Sequence, residues 1–140
     1  MAADDIENPA PLDYSTPKFP SLYWPILVRA GEASYLYYSR DVWKFTTLWT
    51  LIVYGAVHLA ASLYAAFMQP RSWKVMWLVP VIYVVVGSIE AIIAGSIIGG
   101  LLSAVYDAGS FKMSTWIPCI WSFINVLILI LSSFAIQGGL

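Results

Sequence analysis

The chain has 140 residues, of which 60% are hydrophobic, 16% aromatic and only 11% charged, with a net charge near −1. Soluble globular proteins carry roughly 25% charged residues, so this composition excludes an ordinary water-soluble domain and points to a membrane. There is no basic field to hold a nucleic acid, and a lone cysteine, Cys119, excludes both an internal disulfide framework and a multi-thiolate metal site.

Residues 1–20 contain Pro9, Pro11, Pro17 and Pro20 together with Asp4, Asp5 and Glu7. So little apolar surface predicts a disordered acidic, proline-rich tail. Residues 21–44 differ in character. Leu22, Tyr23, Trp24, Ile26 and Leu27, then Tyr35, Leu36, Tyr37 and Tyr38, are interspersed with Arg29, Glu32 and Arg40. That mixture suits the headgroup layer, either as a helix lying in the interface or as irregular chain packed on a bundle, and Gly31 weighs against the helix.

Residues 45–68 carry no formal charge and are bounded by Lys44 and Arg71. They match the roughly 20 residues needed to cross the hydrocarbon. The run is longer than a signal-peptide core and lies too far along the chain for one. The next apolar run, 75–106, is broken only by Glu90. As a helix it would reach about 48 Å, more than the core of about 30 Å requires. Pro80 is tolerated near a helix start, which places the second span at 78–102 with Trp73 and Trp77 at the interface. The third span is 116–136, with Asn125 as its one strongly polar member and Pro118 close to its start. Trp24, Tyr35, Trp43, Trp73, Trp77 and Trp116 read as interfacial anchors.

Connections at 69–74 and 107–115 are short, so neighbouring spans run antiparallel. Backbone groups in hydrocarbon must be satisfied within each segment, so the spans are helices. The predicted fold is therefore an all-α integral membrane protein: a three-helix antiparallel bundle over 45–140 with an N-terminal interfacial segment. Arg29, Arg40, Lys44 and Lys112 on one side against Arg71 and Lys74 on the other favour a cytoplasmic N-terminus, although the second pair is the denser.

Two patterns could carry function. Gly87, Ala91, Gly95, Gly99 and Ser103 recur every four residues, beside a parallel row of Ser96, Gly100, Ala104 and Ala108. Small side chains on one face let another helix approach closely. The face seats helices one and three of this chain, or else a second copy or a foreign helix. It is not a nucleotide-binding glycine loop, because no strand precedes it. The second pattern is polar. Glu90 is the one carboxylate at mid-membrane, and depth arithmetic brings His58 and Asn125 to a similar level. Such a cluster reads as an interhelical clamp, a contact to a partner or lipid headgroup, or a site of transport or catalysis. A single histidine excludes a multi-histidine zinc site, and Cys119 lies at the wrong depth to pair with it, so no catalytic, metal or cofactor set is expected.

Val42-Trp43, Leu48-Trp49-Thr50-Leu51-Ile52, His58 and the basic turn with Arg71 and Lys74 resemble the opening of the transmembrane protein 170 family. Ala94-Gly95, Ala104-Val105-Tyr106-Asp107-Ala108-Gly109 and Lys112-Met113 resemble the end of its second span and the following loop. The likeness covers about residues 42–135 with block spacing preserved. Glu90-Ala91 stands where animal members have Gly-Pro, and Asn8 is followed by proline, so the N-terminal segment lacks a glycosylation acceptor.

The resemblance implies a non-enzymatic, multi-pass protein of the endoplasmic reticulum and nuclear envelope. Such proteins promote sheet-like membrane and influence nuclear pore assembly. The expected partners are the lipid bilayer and other membrane proteins, either membrane-shaping or lipid-transfer. Two alternatives stand beside that expectation: a membrane adaptor anchoring a lipid-transfer or contact-site complex, and a small proton-coupled transporter using Glu90.

Overall fold

The computed structural model describes residues 10, 13–22, 35–68 and 76–138. The expected disorder of residues 1–9, 11 and 12, half of the interfacial segment (23–34, with Trp24) and the first connection (69–75, with Arg71, Trp73 and Lys74) lie outside the described residues. The fold is all-α. Strand β1 (Tyr35–Leu36) leads into α1 (Ser39–Met68), followed by α2 (Leu78–Ala108), strand β2 (Met113–Ser114) and α3 (Trp116–Gly138). All three helices are long and apolar enough to cross a membrane.

Helix α1 has 30 residues and α2 has 31. At 1.5 Å per residue each reaches about 45 Å, so both project beyond a hydrocarbon core of about 30 Å. They project at the same end, because α1 begins six residues before Phe45 and α2 runs to Ala108 rather than stopping near 102. Asp41 in the first turn of α1 complements the positive end of the helix dipole. Helix α2 starts at Leu78, so Pro80 falls in the first turn, where its missing N–H costs nothing. The α2–β2 turn takes its left-handed residue at Ser110 (φ 49°) rather than at Gly109. Gly109 serves a different purpose: a Cβ there would stand 2.4 Å from the Phe111 ring.

The helices do not form a closed triangle. Both α2 and α3 pack along α1 and scarcely touch each other, so α1 is the central strut of the bundle. Contacts run antiparallel between α1 and α2, with Trp43 opposite Gly99 and His58 opposite Gly87. Between α1 and α3 they run parallel, Thr50 meeting Ser122 and Tyr54 meeting Asn125. The hydroxyls of Thr46, Thr50 and Ser122 donate to carbonyls of their own helices, so these buried groups are satisfied without a partner helix.

Two buried clusters hold the arrangement. The mid-membrane cluster joins Val53 and Tyr54 of α1 to Ala91 of α2 and Val126 of α3. The second, at the projecting end, consists of Leu36, Val42, Phe45 and Met113, with Phe19, Trp49, Leu102, Tyr106 and Ile117 packed against it. Pairing of Tyr35 with Ser114 and Leu36 with Met113 ties the entry of α1 to the entry of α3.

Residues 13–20 depart from the disorder expected of them. The Tyr14 hydroxyl donates to the Tyr35 carbonyl at 2.9 Å, and the Phe19 ring meets Phe45 and Trp49 at centroid distances of 5.5 and 5.4 Å. Composition averaged over the tail conceals these two aromatic side chains: Phe19 reaches an apolar surface that the folded α1 provides, and Tyr14 a carbonyl of β1.

Candidate functional site

The small-residue face of α2 is where α1 lies. Gly87, Ala91, Gly95 and Gly99 are all buried. A Cβ at Gly95 would stand 2.9 Å from Thr47 Cα, and one at Gly99 would stand 3.1 Å from Trp43 Cα, so backbone meets backbone at both levels. Ser103 continues the row half-buried and donates to the Gly100 carbonyl. Among the described residues the face seats α1; α3, expected to share it, packs on α1 and scarcely touches α2.

At the Gly87 level the neighbour is the His58 ring. A Cβ on residue 87 would stand 2.6 Å from His58 Cγ, so the imidazole occupies the space left by the missing side chain. One turn away, His58 Nε2 approaches Glu90 Oε2 to 3.3 Å, an ion-pair distance without hydrogen-bond alignment. His58 Nδ1 lies 2.9 Å from the Tyr54 carbonyl oxygen, and the Tyr54 and His58 rings stack. A carbonyl oxygen only accepts, so Nδ1 carries a proton. Nε2 then faces Oε2, and the imidazole is the polar neighbour that this mid-membrane carboxyl meets.

Asn125 joins this group only indirectly. Its backbone carbonyl accepts the Tyr54 hydroxyl at 3.2 Å, while its buried side-chain Nδ2 has no partner. Of the expected trio, His58 and Glu90 come together, and Tyr54 replaces the Asn125 side chain as the third member. Tyr54 lies four residues before His58, on the same face of α1, which is the signal that could have found it.

The projecting end carries the second set of polar contacts. Thr16 donates to Asp41 Oδ2 at 2.7 Å, Ser39 to Asp107 Oδ2, and Lys112 Nζ sits 4.7 Å above the Tyr35 ring. Of the expected interfacial anchors, Tyr35, Trp43 and Trp116 stand at this end and Trp77 at the opposite end of α2. Trp24 and Trp73 lie outside the described residues.

Comparison with known proteins matches residues 35–140 to the family model "Transmembrane protein 170A/B-like". The chain belongs to that family. It is also similar to "Uncharacterized protein YPR153W" of Saccharomyces cerevisiae, 38% identical over 132 residues and covering 94% of each chain. No solved structure matches. The matched region contains every described helix of this transmembrane protein 170A/B-like chain, together with the His58–Glu90 pair. It leaves out the strap formed by residues 13–22.

Proposed function

We propose that this chain is a non-enzymatic organiser of membrane shape in the endoplasmic reticulum and nuclear envelope, acting through the aromatic cap at one end of its three spans. One observation supports the reading. Phe19 docks on Phe45 and Trp49, at the level where α1 enters the hydrocarbon. The strap thus adds side-chain volume to the interface of one leaflet, and insertion confined to one leaflet changes how the two pack against each other. The His58–Glu90 pair and the glycine face serve this role by holding α1 and α2 as one rigid support.

The test is the balance of sheet to tubule in cells carrying Phe19→Ala in place of the native chain. A shift from sheets to tubules at unchanged protein level is the expected result. Unchanged morphology would remove the reading.

A second reading, an adaptor anchoring a lipid-transfer or contact-site complex, draws on the other small-residue row. Gly100 is exposed with nothing within 4 Å of the space a Cβ would take, and Ala104 and Ala108 beside it are exposed as well. Gly100→Leu would then abolish co-purification of a partner without disturbing insertion. The transporter reading is less well supported, because Val53, Ala91 and Val126 surround the Tyr54 end of the polar pair with apolar side chains.

A further inference from the structure

Thr16 lies in the strap with its side chain exposed, followed directly by Pro17, which is buried. Its hydroxyl donates to Asp41 Oδ2 at 2.7 Å. The direction of that bond is fixed, because an ionised carboxylate offers no proton. Asp41 sits one turn before Phe45 on α1. The contact is therefore about 6 Å outward from the point where the span begins, in the hydrated headgroup region. On one side of Thr16 the strap is held by the Tyr14 hydroxyl, and on the other by the Phe19 ring.

The geometry points to Thr16 as a phosphorylation site for a protein kinase that selects threonine followed by proline, with phosphorylation holding the strap off α1. In the transfer, Thr16 Oγ1 bonds to the γ-phosphorus of a nucleoside triphosphate as the bond from that phosphorus to the β-bridging oxygen breaks. Nucleoside diphosphate leaves and the hydroxyl proton passes to the kinase. With Pro17 buried and the hydroxyl engaged, the docked strap is not the substrate; the kinase takes the minor population that has opened. After transfer the hydrogen-bond donor is gone, and a group of charge about −1.5 to −2 would have to return to within contact of the Asp41 carboxylate. Lys18, two residues along, and Arg40 and Lys44 flanking Asp41 in sequence are the cations near enough in the chain to oppose that repulsion. Release therefore depends on Asp41 outweighing them. The modification and the undocking stand apart from the membrane-shaping reading.

The test uses the full chain in lipid nanodiscs, treated with a proline-directed kinase and magnesium ATP, then with trypsin at limiting concentration. The readout is cleavage after Lys18, normalised to a peptide of residues 13–22 in the same phosphorylation state. Phosphate is expected on Thr16, with normalised cleavage faster by at least about tenfold. Thr16→Val, which loses only the hydrogen bond, should change it by less than about threefold, and phosphorylated Asp41→Asn should fall between the two. The inference is overturned if Thr16 stays unmodified while the peptide is fully phosphorylated. It is also overturned if the phosphorylated chain is cleaved at the unmodified rate or more slowly, or if Asp41→Asn makes no difference to its cleavage.

Discussion

His58 Nε2 of α1 and Glu90 Oε2 of α2 lie 3.3 Å apart at the middle of two antiparallel spans, with His58 Nδ1 held to the Tyr54 carbonyl. The relationship makes its two members unequal under mutation. Glu90→Gln places an amide N–H where it can donate to Nε2, so it should leave thermal stability in detergent nearly unchanged. His58→Leu strands a carboxyl whose Oε2 is covered by protein, and should cost about 1–3 kcal/mol. The double variant His58→Leu/Glu90→Leu should recover most of that loss, since replacing both members of the pair leaves neither polar group without its partner. Helical circular dichroism followed through thermal unfolding gives all three values.

The glycine face predicts a rank order. Gly95→Ala forces a methyl to 2.9 Å from the Thr47 backbone and Gly99→Ala to 3.1 Å from that of Trp43, contacts that only helix separation can relieve. Each should destabilise the α1–α2 contact by about 1–3 kcal/mol, Gly95→Ala the more. Gly100→Ala meets nothing within 4 Å and should be neutral or slightly stabilising. Melting temperatures of the three variants at equal detergent concentration check the order.

Tyr54→Phe and Asn125→Leu separate the backbone of Asn125 from its side chain. The first removes the hydroxyl that donates to the Asn125 carbonyl and should cost about 0.5–1.5 kcal/mol. The second discards an amide nitrogen that is buried without a partner, and should not lower the melting temperature.

Burial pushes the Tyr14 phenol above its ordinary value of 10.0. A raised folded-state pKa means that docking favours the protonated phenol. The Tyr14 contribution is therefore complete below the unfolded value of about 10 and is lost as pH rises through the folded one. Ionisation also removes the proton that Tyr14 donates to Tyr35. A nitroxide on Ser21→Cys should stay immobilised up to about pH 10 and become mobile above it, while Tyr14→Phe should lack this pH-dependent step.

The spans were legible because charge-free runs of the required length have few alternatives in water or lipid. His58 and Glu90 were legible as a pair because helix rise and a short connection fix relative depth. The arrangement around α1 was not. Periodicity shows that the Gly87, Ala91, Gly95 and Gly99 face packs closely but not which helix it meets, and α3 could have taken the place that α1 holds. Asn125 shows the same limit: depth says nothing about rotation, and its side chain does not share the polar contact that its carbonyl makes with Tyr54. The strap escaped because Tyr14 and Phe19 are isolated aromatic residues in a proline-rich stretch, with no repeat to reveal them.

The claim that a docked strap alters one leaflet is tested most directly by reconstituting the purified chain into unilamellar vesicles and measuring membrane curvature by electron cryomicroscopy as protein density rises. The native chain should broaden the flat regions progressively. Phe19→Ala, inserted to the same density, should leave curvature close to that of protein-free vesicles. Equal flattening by both chains, or none by the native one, would contradict the account.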